Sequence, residues 1–74
     1  MTGKIIFYNT ERGYGFIRED KSKRDYFFNI ADFADRQPMT GLEVNFVVGS
    51  NTKGIKAIEI TERKVVAYGN EKVL

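Results

Sequence analysis

The sequence has no cysteine and no histidine. The first absence removes disulfide staples and thiol nucleophiles; the two together remove the usual zinc ligands and the commonest acid–base group. No catalytic residue, metal site or cofactor is therefore expected. Paired carboxylates such as Glu19 and Asp20 lie next to a turn and point apart by strand alternation, which gives no acid–base partnership. Long apolar runs are also missing. The longest near the start, Ile5 to Tyr8, is far too short for a secretory core or a membrane span, which predicts a cytoplasmic protein without membrane contact.

What is present fits one small domain. A chain of 74 residues has room for one hydrophobic core. The formal net charge of +2 is a weak attraction for a polyanion when taken as a total. Its distribution says more. Lys4, Arg12, Arg18, Lys21, Lys23 and Arg24 outnumber Glu11, Glu19 and Asp20 in residues 4–24, and residues 51–74 are also basic. The middle of the chain, with Asp25, Asp32, Asp35 and Glu43 against Arg36, is acidic. The basic ends can act together only if folding brings them to one face.

Short runs rich in Ile, Val, Phe and Tyr alternate with polar turns, and no sustained helical period appears. The prediction is all-β, with strands at Lys4 to Asn9, Tyr14 to Arg18, Asp25 to Ile30, Glu43 to Val48 and Gly54 to Thr61. Thr10 to Gly13, Asp20 to Arg24 and Gly49 to Lys53 carry hairpin-turn residues. The longer link from Ala31 to Leu42 contains the sole proline, Pro38, and is expected to cross the barrel end with a helical turn around Asp32 to Ala34. Three strands in a meander, a crossover and a last hairpin fit a five-stranded antiparallel Greek-key barrel of the oligonucleotide-binding kind. Residues 1–61 form that barrel in this reading. Residues 62–74 are an extension with the pattern of one further hairpin, a candidate dimer contact on an otherwise monomeric protein.

The informative stretch is Arg12-Gly13-Tyr14-Gly15-Phe16-Ile17, followed by Tyr26-Phe27-Phe28. Side chains alternate along a strand, so Tyr14, Phe16 and Arg18 share one face and Gly15 and Ile17 the other. The third strand carries aromatics on both faces: Tyr26 and Phe28, with Ile30, on one, and Phe27, with Asn29, on the other. So small a barrel cannot bury both, and exposed rings beside Arg and Lys make a platform for unstacked bases. Gly13 and Gly15 are expected to leave the rings at positions 14 and 16 uncovered and to let a strand or ligand approach. The hexapeptide also fits the start of a ribonucleoprotein motif, but in that fold the segment follows a helix, and here it follows a single strand.

These residues resemble the cold-shock domain family over roughly residues 3–61. Gly3 to Asn9 is similar to the family's opening Gly-x-Val-Lys-Trp-Phe-Asn, and Arg12 to Ile17 to its Lys-Gly-Phe-Gly-Phe-Ile. Asp25 to Ile30 stands where the family has Asp-Val-Phe-Val-His-Phe, and Gly54 to Ile60 resembles Gly-x-x-Ala-x-x-Val. The resemblance implies a barrel that binds single-stranded RNA or DNA, as an RNA chaperone or as a regulator of transcription or translation. It places Phe7 at the family's stacking tryptophan and Tyr8 at the neighbouring phenylalanine. Tyr14, Phe16 and Phe27 match the central stacking rings and Arg12 the basic residue before them. Asp25 and Lys56 match polar contacts to bases, Lys56 standing where glutamine is usual.

Departures from the pattern shape the expected site. Ile6 replaces a lysine, Asn29 a histidine and Ile30 a phenylalanine, which removes a phosphate partner and two stacking groups, while Asn29 retains hydrogen bonding to a base edge. Tyr26 and Phe28 replace small valines on the expected core face. The ordinary role of a strand aromatic is core packing. Arg12, Lys53 and Lys56 are candidate contacts to phosphate or base, against the ordinary role of a solvated charge. Parity favours exposure for Tyr14, Phe16 and Phe27, whereas Phe7 shares its parity with Ile5 and faces outward only if a twist or a bulge intervenes. The alternative use of such a face is protein binding or dimerisation.

Overall fold

The structure, a computed structural model, describes residues 1–34 and 37–63. Five strands, β1 (Thr2–Asn9), β2 (Tyr14–Glu19), β3 (Asp25–Asn29), β4 (Glu43–Asn51) and β5 (Gly54–Glu62), form one antiparallel sheet in the order β3-β2-β1-β4-β5. The all-β prediction and all five strands are present. The hairpin expected within residues 62–74 lies outside the described residues, apart from Glu62 at the end of β5 and Arg63, whose N–H bonds the Glu43 carbonyl at 2.8 Å.

The turns are built by side chains that hold backbone donors. Asn9 Oδ1 accepts from the N–H groups of Glu11 and Arg12, both at 3.0 Å, and Gly13 closes that turn at φ +71°. Glu19 holds the β2–β3 turn through Lys21 N–H, Ser22 N–H and Ser22 Oγ. Asn51 Oδ1 accepts from Lys53 N–H at 2.8 Å, and Gly54 follows at φ +128°. This last turn is shorter than the expected Gly49 to Lys53 loop. Gly49 and Ser50 pair with Lys56 and Ile55, so the ladder continues through them and the chain reverses at Thr52-Lys53.

The end of β3 also departs from expectation. The expected helical turn at Asp32 to Ala34 begins earlier, as a 3₁₀ turn over Ile30–Asp32, because Asn29 caps it by accepting from Ala31 N–H at 2.9 Å. Ile30 therefore leaves the strand and does not share the buried face of Tyr26 and Phe28; it is exposed.

The inner face gathers Ile5, Ile17, Tyr26, Phe28, Phe33, Val44, Phe46, Ala57 and Ile60 into one core. Space for Phe28 comes from Gly15, its cross-strand partner, where a Cβ would lie 2.8 Å from the Phe28 ring. Gly15 is thus a core-side glycine that admits a ring and the neighbouring β1 backbone, and its effect is not to uncover Tyr14 or Phe16 on the far face. Tyr26 packs on Phe46 with ring centroids 5.7 Å apart. Among the described residues no ladder joins β3 to β5. That seam is pinned by a Phe33–Ile60 bridge, an Ala34 N–H bond to the Ile60 carbonyl at 2.7 Å and a Lys56–Asp32 ion pair at 2.9 Å. No helix among the described residues is long and apolar enough to cross a membrane.

Candidate nucleic-acid interface

The outer face of β1, β2 and β3 is organised in cross-strand rungs. Tyr14 pairs with Asn29, Phe16 with Phe27 and Arg18 with Asp25. β1 adds Phe7 beside Phe16, Asn9 beside Tyr14 and Lys4 beside Arg18. Phe7 reaches this face through a bulge: Ile5 pairs with Ile17 but Phe7 pairs with Phe16, so β1 carries one extra residue. The reversal of parity leaves Ile5 fully buried and Phe7 44% exposed.

Four rings consequently touch on one open surface. Tyr14 and Phe27 stack with centroids 5.7 Å apart, and Phe16 meets Phe27 edge-on at 6.0 Å. Phe7 contacts Tyr14 at 6.0 Å and Phe16 at 6.4 Å. Phe7 and Phe27 are exposed, and Tyr14 and Phe16 are half-buried by their neighbours. Rings in this arrangement offer several π-faces and edges to a flat ligand.

The other expected site residues divide by position. Tyr8 turns away from this cluster and stacks on core Phe28 with ring planes 12° apart. Arg12 is exposed on the β1–β2 turn, with no ion pair among the described residues. Asp25 lies on the ring face, gripped by Arg18 through Nε at 2.7 Å and Nη2 at 3.1 Å. That grip holds the Asp25 carboxyl below its ordinary pKa, the Arg18 hydrogen bond being the main cause. Asn29, Lys53 and Lys56 converge with Phe27 on a groove of about 370 Å³ that runs along the β3–β5 seam.

Sequence reasoning did not single out Asn51 or Ile55, which line the same groove, or Arg18 as the partner of Asp25. Arg18 shares its strand parity with Tyr14 and Phe16, and that was the available signal. Asn51 and Ile55 flank a turn, and their meeting with β3 depends on closure of the barrel, which local sequence does not display.

Comparison with known proteins agrees with this geometry. The family model described as "'Cold-shock' DNA-binding domain" matches residues 1–63. The Retron Se72 cold shock-like protein of Salmonella heidelberg is 39% identical over 62 residues, covering 78% of this chain and 91% of the relative. The Cold shock-like protein CspA of Vibrio cholerae serotype O1 is 31% identical over 64 residues, covering 82% and 91% respectively. A five-stranded sheet with its glycine-spaced aromatic strands and a family match over nearly all its described length has one reading: the chain belongs to the cold-shock DNA-binding domain family, whose general function is to bind nucleic acid.

Proposed function

We propose that this protein binds single-stranded RNA or DNA by laying unpaired bases against Phe7, Tyr14, Phe16 and Phe27, and that it acts in the cytoplasm as an RNA chaperone-like factor or a regulator of transcription or translation. The observation that carries the reading is the mutual contact of these four rings on an open sheet face. Arg12, Lys53 and Lys56 supply cations around it, and Asp25 and Asn29 supply polar groups on its third strand. Stacking dominates, because each base against a ring contributes about 1–3 kcal/mol while the net charge is only +2.

Titration of a short pyrimidine-rich oligonucleotide tests this. Phe16→Ala and Phe27→Ala should each weaken binding roughly 5- to 150-fold and leave the β-sheet spectrum unchanged. Equal affinity in the wild type and both variants would refute the stacking face. A protein that ignores the oligonucleotide and dimerises with concentration would point instead to the face as a protein contact. The salt dependence should be shallow, about 0.7 in log affinity per log salt for each phosphate contact.

A further inference from the structure

The polar side chains lining the groove beside Phe27 share one hydrogen-bonding sense. Asn29 and Asn51 both line it, and both have the amide oxygen committed: Asn29 Oδ1 accepts from Ala31 N–H at 2.9 Å and Asn51 Oδ1 from Lys53 N–H at 2.8 Å. An amide held through its oxygen offers its N–H groups. Neither side chain makes a further hydrogen bond among the described residues. Lys53 and Lys56, also in the lining, carry donors and no acceptor. Asp32 is drawn onto Lys56 at 2.9 Å and is not in the lining, whose side chains include no carboxylate and no hydroxyl.

Any ligand of this groove must therefore bring acceptors to those side chains. It must also suit two apolar walls, Phe27 and Ile55, which are 38% and 53% exposed. A volume of about 370 Å³ falls among small-ligand clefts, which span about 300–1,000 Å³. A flat heterocycle with a carbonyl edge meets these conditions. Uracil and thymine present a carbonyl oxygen at position 4, and guanine presents O6 and N7, whereas cytosine and adenine present an amino donor at the corresponding edge. An amino group set against Asn29 and Asn51 would face donors with a donor.

We infer that the groove receives the base adjoining the one stacked on Phe27, and that Asn29 and Asn51 select carbonyl-bearing bases over amino-bearing ones there. The inference rests on the single-strand-binding reading above and adds to it the residues that discriminate between bases. Continuity supports the path, since Phe27 belongs at once to the ring cluster and to the groove wall.

The experiment compares RNA heptamers of uridine and of cytidine, which match in ring size and differ at this edge as carbonyl against amino. The wild type should favour uridine roughly tenfold. The double variant Asn29→Asp/Asn51→Asp keeps each capping oxygen and replaces each amide NH₂ by an acceptor, so the uridine-to-cytidine ratio should fall to about one or below. Added negative charge weakens both oligomers alike, which makes the ratio the readout. Asn29→Ser/Asn51→Ser, uncharged and able to cap, should move the ratio in the same direction. No preference in the wild type, or a ratio that neither variant changes, overturns the inference. Phe16→Ala separates the two layers: it should weaken both oligomers and leave the ratio intact. Tight binding that ignores Phe16→Ala refutes the stacking face, and no binding to either oligomer refutes both.

Discussion

Gly15 and Phe28 sit opposite one another on β2 and β3, and the phenyl ring fills the space that a side chain at position 15 would need. A Cβ there would lie 2.8 Å from Phe28 Cε1 and would also press on the Phe7 carbonyl oxygen. Phe28 is fully buried and the carbonyl is part of the backbone, so neither can yield cheaply. Gly15→Ala should therefore destabilise the fold by about 1–3 kcal/mol, read as a lower urea midpoint. A midpoint equal to that of the wild type would show that the sheet relaxes around the added methyl.

Phe7 and Tyr8 are neighbours in sequence with opposite orientations, which makes them a matched pair for mutation. Phe7→Ala should weaken oligonucleotide binding by about 1–3 kcal/mol with little loss of stability, because its ring lies on the open face. Tyr8→Ala should do the reverse. Loss of its stack on Phe28 and of its packing against the core should cost more than about 1 kcal/mol in unfolding free energy. Paired urea melts and titrations of the two variants check the assignment.

Acid should weaken the fold through Glu19. Hydrogen bonds from the Ser22 hydroxyl, then from the N–H groups of Ser22 and Lys21, lower its pKa from 4.5 to about 2. A carboxyl with a depressed folded-state pKa contributes stability that is complete above its unfolded value and disappears as pH falls through the folded one. Asp25, lowered by Arg18, acts in the same direction. The urea midpoint should fall between about pH 4.5 and about pH 2. Ser22→Ala, which removes the largest cause, should flatten that acid limb.

Glu59 adopts φ 50°, a left-handed conformation unusual for a side chain with a Cβ. It lies at an irregularity of the last hairpin, where β4 passes from Asn45 to Val47 while β5 passes from Thr61 to Ile58. It is exposed, and the structure gives it no partner among the described residues. Glu59→Gly should relieve the strain and stabilise the protein by about 0.5–1 kcal/mol, net of the entropy that glycine loses on folding. A destabilised variant in the same melt would indicate that the Glu59 side chain has a contact of its own.

Much of this architecture was legible in the residues because a strand encodes its faces by alternation. Parity separated Tyr14, Phe16 and Phe27 from Ile17, Tyr26 and Phe28, and the conflict between Ile5 and Phe7 called for a twist or a bulge, of which β1 contains the bulge. Ile30 escaped the same reasoning, since its apolar character matches a strand and only the cap from Asn29 converts it to a turn. The fit of Phe28 depends on a glycine across the ladder, a tertiary pairing that composition does not reveal. The groove was least legible. Its lining comes from strands distant in sequence, joined by closure at Phe33 and Ile60 rather than by a local signal.

The ring face is assembled on three adjacent strands joined by two ladders of backbone hydrogen bonds, with no long loop intervening between them. Its spacing is thus set before any ligand arrives. A single strand docking there must adopt the geometry it finds, so most of the ordering entropy of complex formation falls on the nucleic acid and little on the protein.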